Sequence, residues 1–359
     1  HTRLSLVGLA EDAGLAYHVV RYIILRSKWV VISILNRQRL EIICCHQGTA
    51  PAMCGILIID DMGNVKRYSF KIEGVALQYS GSEHGLAKCL NAVFLAYSDP
   101  NKHFPVFWEP YRVEGDFPLG KADPKFQSKI DIALKQLREI APDARFPRIV
   151  AVDSWYMATE LIKEADALGF IVIGEIDCDR KFLFHRPDTG RKEYIKRDEL
   201  VKLVLKYYSC RLKTLTRKGK RGKSYTVRYF SFESKLNGCP VPGRAVLIMG
   251  RHFSGDNPNA VRILWAAKPN MTAEEIIEKY DLRWGIETCF RELKDTFYFD
   301  HFQMRKLAYI ERFWFLAILA WTLAYCLKQR GILTKIIAIP ASQNTVPGVT
   351  RAFRKLIAF

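Results

Sequence analysis

The sequence is poor in acidic residues relative to basic ones. Its 359 residues include 37 Asp and Glu against 55 Lys and Arg, which gives a formal net charge of +18. An excess of this size indicates a polyanionic partner. A membrane surface would also be polyanionic, but no basic amphipathic anchor stands out in the sequence.

The sequence has no CxxC pair, although it has nine cysteines, at positions 44, 45, 54, 89, 178, 210, 239, 289 and 326. An odd and unpatterned set is typical of reduced, buried thiols in a cytosolic protein. It argues against both a disulfide framework and a structural zinc site.

Long apolar runs and internal repeats are also missing. The most apolar run, residues 313–327, lies between Arg312 and Lys328 and has fifteen residues. Because about 20 are needed to cross a bilayer, we predict a buried core helix. With 49% hydrophobic residues the chain can bury a large core, either as one domain with an insertion or as two domains.

The first region, residues 1–50, is predicted to be helical. Residues 9–20 place apolar side chains around Gly14, as a DNA-binding helix-turn-helix would. A simple helical hairpin packed on the rest of the protein explains the same pattern at least as well.

The second region, residues 51–174, is predicted to be an α/β sheet. The apolar run at residues 55–59 precedes Asp60 and Asp61, and the run at 148–152 precedes Asp153. We predict a buried strand for each run. If these strands are neighbours, their acids emerge at the same sheet edge, where α/β sheets place their sites. Further elements are predicted as strands at 75–78, 90–97 and 170–174, a loop at 99–124, and helices at 125–140 and 159–168.

The third region, residues 175–266, has alternating segments separated by Gly, Pro and Asn, and we predict a mostly antiparallel β insertion. The expected strands are 180–185, 225–232, 244–251 and 261–266. The region contains a run at 211–223 with seven basic residues and no acid. We favour phosphate contact over a solvated loop for this run, and its candidate DNA-binding residues are Arg217, Lys218, Lys220 and Arg221.

The fourth region, residues 267–330, contains the most informative tract, which we predict to be one helix with a capping box at Thr272 and Glu275. With Tyr280 at zero, a helix would place Arg283, Glu287 and Lys294 at roughly 300°, 340° and 320°. The four polar groups would then share one stripe beside an apolar arc of Ile286, Phe290, Leu293 and Phe297. A solvated face with favourable Arg/Glu pairs is the alternative. Residues 331–359 form a short C-terminal tail.

The acids suggest a metal site. A carboxylate cluster of Asp60 or Asp61, Asp153 and Glu287, without His or Cys, prefers Mg²⁺ or Mn²⁺. Two such ions about 4 Å apart support phosphoryl transfer. An acid at a strand end can instead form a turn, which is the alternative for Asp153. Asp60 and Asp61 cannot both point the same way from one strand.

These residues resemble the DDE transposases of bacterial insertion sequences, in the insertion-sequence-4 superfamily. That family has a Tyr, Arg, Glu, Lys signature with two, three and six intervening residues, and Tyr280, Arg283, Glu287 and Lys294 have the same spacings. Its first two acids resemble Asp60 or Asp61 after the first strand and Asp153 after the second. The resemblance covers roughly residues 50–325.

The resemblance implies an RNase H-like core in residues 51–174 and 267–330, interrupted by the β insertion. It implies cleavage of double-stranded DNA at the terminal inverted repeats, dependent on Mg²⁺ or Mn²⁺ with two ions, and strand transfer into target DNA. A homodimer would assemble in the synaptic complex, in the bacterial cytoplasm. By position, Asp61 (or Asp60), Asp153 and Glu287 would be catalytic metal ligands.

By the same resemblance, Tyr280, Arg283 and Lys294 would contact DNA phosphates. Trp155 and Trp284 could stack on an unpaired base, although we expect both to be buried. Met62 departs from the family, where Thr usually follows the first Asp; we favour Asp61 as the first ligand. A nuclease without strand transfer and a decayed DNA-binding derivative remain as alternatives.

Overall fold

The computed structural model describes residues 16–69, 71–81, 83–177, 179–218, 224–250, 261–331 and 344–357. The chain divides into two compact units. The first consists of residues 1–53, 61–132 and 284–359, and the second of residues 54–60 and 133–283.

The described strands are β1 (Ile56–Val65), β2 (Ala76–Ser80), β3 (Gly85–Ser98), β4 (His103–Tyr111), β5 (Ile149–Val152), β6 (Ile171–Glu175), β7 (Lys181–His185), β8 (Lys192–Lys196), β9 (Lys213–Lys218), β10 (Ser224–Lys235), β11 (Pro242–Met249) and β12 (Val261–Ala266). The described α-helices are α1 (Tyr17–Leu25), α2 (Ile32–Cys44), α3 (Lys129–Ile140), α4 (Thr159–Ala167), α5 (Arg197–Tyr207), α6 (Ala273–Asp281), α7 (Trp284–Phe297), α8 (Leu307–Gln329) and α9 (Val346–Ile357).

The second unit is built on a mixed sheet in the order β1-β5-β6-β12-β11-β10-β9. Its β1–β5 and β5–β6 pairs are parallel, and the pairs from β6 to β9 are antiparallel. Parallel strands need helical crossovers, and α4 provides the one between β5 and β6. The predicted pair of neighbouring buried strands is therefore confirmed, but β1 does not end before the acids and continues to Val65.

The four strands predicted for residues 175–266 are confirmed with small changes in their ends, as β7, β10, β11 and β12. The segment is not purely β, because α5 follows β8. Asp198 and Glu199 occupy the first turn of α5, and Leu200, Val201 and Val204 are buried. Apolar residues three and four positions apart are typical of a helix. The alternating pattern of the rest of residues 175–266 concealed this helical spacing.

The first unit contains strands β2 and β3 beside the second half of β1, with β4 paired to β3. The loop predicted at 99–124 is wrong for residues 103–111. Pro105 and Pro110 concealed this strand, because proline cannot donate a ladder hydrogen bond. Pro105 pairs with Ala96 at the point where the register of β3 and β4 shifts.

The predicted core helix at residues 313–327 is confirmed as the central part of α8. Among the described residues it is the one helix long and apolar enough to cross a membrane, and 61% of its most apolar window is buried in the protein. Its buried residues include Trp314, Trp321 and Tyr325. The burial indicates a core helix.

A buried arginine joins α2 to the rest of the first unit. Arg39 is 1% exposed. It donates to the carbonyls of Pro105 and Val106 at 2.8 Å and to the hydroxyl of Thr322 at 3.1 Å. Burial lowers its pKa to about 9. Residues 32–44 thus pack as part of the first unit. Most of the candidate helix-turn-helix, residues 9–20, lies outside the described residues.

Candidate active site

Asp60, inside β1, and Asp153, the residue after β5, lie at the same level of two neighbouring parallel strands. Ile59 pairs with Val152 in the register of β1 and β5, and each aspartate is the next residue. Neighbouring strands lie about 4.8 Å apart, and residues in register point to the same side of a sheet. The fold therefore brings these two carboxylates to one edge of the second unit.

Asp60 forms an ion pair with the signature arginine. Its Oδ2 lies 3.0 Å from Nη1 of Arg283, and both side chains are 20% exposed. A partly desolvated pair of this kind interacts more strongly than one in bulk water. The contact places a guanidinium directly beside the carboxylate of Asp60.

Tyr280 lies next to this pair. The Arg283 guanidinium is 5.9 Å from the centre of its ring, and that of Arg262 is 5.8 Å away. Burial raises the pKa of Tyr280 to about 12, with Arg283 opposing the increase and Glu175 and Asp153 adding to it. The phenol is therefore neutral near pH 7 and can donate a hydrogen bond.

Asp153 also has a structural role. Its Oδ1 accepts a hydrogen bond of 3.0 Å from the N–H of Tyr156. This is the turn-forming role that the sequence offered as the alternative for Asp153. The contact uses one carboxylate oxygen, and the carboxylate itself is half-buried.

Asp61 makes different contacts, in the first unit. Its Oδ2 accepts from Nζ of Lys129 at 2.7 Å and from Nδ2 of Asn91 at 3.3 Å. Asn91 in turn donates to Oε1 of Gln78 at 3.1 Å. Adjacent residues of a strand point to opposite faces, which explains the separate surroundings of Asp60 and Asp61.

The predicted single helix from residue 280 to 294 is wrong. Helix α6 ends at Asp281 and α7 begins at Trp284. The N–H of Arg283 donates to the carbonyl of Tyr280 at 3.0 Å. This bond spans three residues, as in a 3₁₀ turn, instead of the four of an α-helix, and α6 ends there. The predicted N-cap is confirmed, since the Thr272 side chain accepts from the N–H of Glu275.

Glu287 and Lys294 remain together on α7. They are seven residues apart, about two turns, and therefore share one face of the helix. Nζ of Lys294 donates to the carbonyl of Gly63 at 2.8 Å. Burial lowers the pKa of Lys294, which Asp300 and Asp295 oppose. Glu287 lies in the first turn of α7, where a carboxylate is favoured by the helix dipole.

The basic run is only partly described. Arg217 forms an ion pair with Asp281 and lies 5.7 Å from the Tyr225 ring centre. Lys218 ends β9, and Lys220 and Arg221 lie outside the described residues.

Both tryptophans predicted to be buried are exposed, so that expectation is wrong. Trp155 is 57% exposed and Trp284 is 52% exposed. Trp155 follows the end of β5 and packs edge-on against Tyr156, and Trp284 is the first residue of α7. A strand end and a helix start both lie at the surface, which explains the exposure.

Arg262 and Lys129 are site neighbours that the sequence did not reveal. Arg262 reaches Glu175 at 2.8 Å and lies over Tyr280, and Lys129 binds Asp61. Each of the two contacts residues distant in sequence, so no local sequence pattern could have predicted its place at the site.

The donor set at Asp60 and Asp153 fits a hard divalent cation. Both supply carboxylate oxygens, and Mg²⁺ is commonly held by one or two carboxylates together with water and substrate phosphates. Among the described residues, no three His, Cys, Asp or Glu side chains are grouped closely enough to hold an ion by themselves. The pair is therefore suited to an ion that takes further ligands from a phosphate substrate.

Comparison with known families agrees with this chemistry. The mixed sheet with its helices is consistent with the fold of DDE endonucleases. Residues 122–323 match the Transposase DDE domain, and residues 3–199 match the DDE superfamily endonuclease family. No curated protein matches the chain. Each family match covers more than half of the sequence, and the chain belongs to the DDE transposases, enzymes that act on DNA.

Proposed function

We propose that this protein cleaves the ends of a bacterial insertion sequence and transfers the cut strand into target DNA, as a member of the insertion-sequence-4 superfamily. The observation that supports this most directly is the level placement of Asp60 and Asp153, with Arg283 on Asp60. The spacing of Tyr280, Arg283, Glu287 and Lys294 supports the assignment to the superfamily.

The proposed metal ligands are Asp60 and Asp153, and the spacing of the signature adds Glu287 as the third. The sequence favoured Asp61, but Asp60 is the aspartate level with Asp153, whereas Asp61 binds Lys129 and Asn91. Mg²⁺ or Mn²⁺, as two ions, would polarise the phosphate and stabilise the attacking and leaving oxygens. Carboxylates without His or Cys suit these ions.

The proposed phosphate contacts are Arg283, Tyr280 and Lys294. Arg283 offers a bidentate fork for phosphate oxygens, and the neutral phenol of Tyr280 adds a donor beside it. Lys294 supplies a partly buried ammonium, whose charge is less screened than one in bulk water. Arg217, Lys218, Lys220 and Arg221 would hold DNA through non-specific phosphate contacts.

The proposed reaction has two steps with the same bond changes. In cleavage, a water oxygen bonds to phosphorus while the bond from phosphorus to the 3′ oxygen breaks. The water loses a proton to solvent, and the leaving 3′ oxygen takes one up. In transfer, the released 3′-hydroxyl attacks a target phosphodiester, and the target's 3′ oxygen leaves. Two element ends must be held together, for which we propose a homodimer.

The experiment is incubation of the protein with DNA carrying the element's terminal repeats, a supercoiled target and Mg²⁺ or Mn²⁺. Nicks at 3′ ends and joined products are expected with the wild type. Glu287→Ala and Asp153→Ala should lose cleavage and keep most of their DNA affinity, because ligand carboxylates contribute little to holding a polyanion.

Other outcomes separate the alternatives. Cleavage without joining would identify an endonuclease that does not transfer strands. Shifted but uncut DNA would identify a DNA-binding derivative. Cleavage at the wild-type rate by either variant would exclude that carboxylate as a metal ligand.

A further inference from the structure

A cationic surface lies in the first unit. The loop after β1 and the segment after α7 line a cleft of about 850 Å³. Four cations line it, Lys66, Arg67, Lys71 and Arg305, with Glu83 as the acid in the lining. The net charge of this lining is therefore strongly positive.

Lys66 holds the two sides of the cleft together. Its Nζ donates to the carbonyls of Asp300 at 2.6 Å and Phe302 at 2.8 Å, and it lies 4.0 Å from the centre of the Phe302 ring. A second link is the N–H of Glu73, which donates to the carbonyl of Arg305 at 2.8 Å. These contacts make the cleft a built feature rather than a chance gap between loops.

The remaining cations point outward. Arg67 is paired with Glu83 yet keeps 62% of its side chain exposed. Lys71 and Arg305 are both exposed. Tyr68 also lines the cleft and is 90% exposed, which is unusual for an aromatic side chain. Guanidinium, ammonium and phenol groups are the donors that contact DNA phosphates.

We propose that this cleft binds the phosphate backbone of duplex DNA, with Lys71, Arg305 and Tyr68 as the contacting side chains. The inference depends on the chain acting on DNA and does not depend on strand transfer.

Charge and chemistry favour DNA over other polyanions. The lining combines four cations with the exposed phenol of Tyr68, and such groups donate to the oxygens of DNA phosphates. A DNA transposase must also hold flanking duplex while its carboxylates act on one phosphodiester.

The test is the salt dependence of binding to a fluorescent duplex of about 25 base pairs of arbitrary sequence, without divalent cations. Each lost phosphate contact should lower the slope of log affinity against log salt by about 0.9, so Lys71→Ala with Arg305→Ala should lower it by about 1.8. Tyr68→Ala should weaken binding several-fold with less change in slope. The matched control replaces two exposed lysines of the second unit, Lys163→Ala with Lys202→Ala, and should keep the wild-type slope.

The substituted side chains are exposed, so thermal melting should be unchanged and misfolding can be checked directly. An unchanged slope and affinity in the double variant would overturn the cleft proposal while leaving the cleavage assay of Asp153→Ala unaffected. The proposal would also be overturned if the double variant lost binding to phosphatidylserine vesicles but kept its full affinity for DNA. A wild-type protein that does not bind the duplex would contradict both proposals.

Discussion

Asp60 and Asp153 are level with each other across β1 and β5, each one residue beyond the register pair of Ile59 and Val152. Because neighbouring parallel strands present paired residues on the same side, this relationship distinguishes Asp60 from its neighbour Asp61. It also supplies the first prediction.

Asp60→Asn should reduce DNA cleavage by on the order of 100-fold or more. Loss of a group that merely orients a metal ligand lowers activity by about 10–100-fold, and loss of the ligand itself should lower it at least as much. Asp61→Asn should stay within about ten-fold of wild-type cleavage but lose about 1–3 kcal/mol of stability, since Lys129 loses a charged hydrogen-bond partner. Plasmid nicking and denaturant unfolding measure the two effects. The reverse pattern would restore Asp61 as the first ligand.

Asp153→Asn should abolish cleavage while leaving the fold intact. An asparagine oxygen can still accept the hydrogen bond from Tyr156, so the turn is kept and only the negative charge is lost. Asp153→Ala should lose cleavage and also about 1 kcal/mol of stability. If Asp153→Asn cut DNA normally, Asp153 would be a turn residue alone.

Tyr280→Phe should slow cleavage about ten-fold at every pH, because a hydrogen bond to a phosphate is lost. Burial raises the Tyr280 pKa to about 12, so the phenol stays protonated through the range of the assay. The pH–rate profiles of wild type and variant should therefore be parallel between about pH 6 and about pH 10. Tyr225→Phe, a tyrosine beside Arg217, is the control. Profiles that diverge near neutral pH would show that Tyr280 ionises.

Gly285→Ala should destabilise the start of α7 by about 1–3 kcal/mol through overpacking. A Cβ there would lie 2.2 Å from Oγ and 2.7 Å from Cβ of Ser98. Ser98→Gly in the same chain should recover part of the loss. Gly115→Ala, where a Cβ meets nothing within 4 Å, is the control. Equal melting temperatures for the two alanine variants would contradict this packing.

The stability contributed by Lys66 should rise with pH. Burial lowers its pKa to about 8 from the ordinary 10.5. Between these values the unfolded chain binds more protons than the folded one, so the free energy of unfolding increases with pH. Wild type should therefore gain stability relative to Lys66→Met from about pH 8 to about pH 10. Denaturant unfolding measures this difference, and exposed Lys163→Met should show none. A constant difference would mean that the folded lysine titrates normally.

Several elements could be predicted from local pattern because their signals are short-range. The apolar runs before Asp60 and Asp153 became neighbouring strands, and the run at 313–327 became part of α8. The strand at residues 103–111 could not be predicted in this way, because its two prolines are typical of loops and its stability comes from pairing with β3. The break at Leu282–Arg283 also escaped prediction, since the tract contains no Pro or Gly before Gly285.

The sequence by itself determined that Asp60 and Asp153 follow buried apolar runs and which residues stand on the signature tract, since period and spacing are properties of neighbouring residues. Only the tertiary structure decided which side chains these residues contact. The register of β1 and β5 placed Asp60 rather than Asp61 level with Asp153, and the turn after α6 directed Arg283 to Asp60. Pairing of strands and the meeting of side chains 223 positions apart depend on long-range packing, which no local spacing encodes.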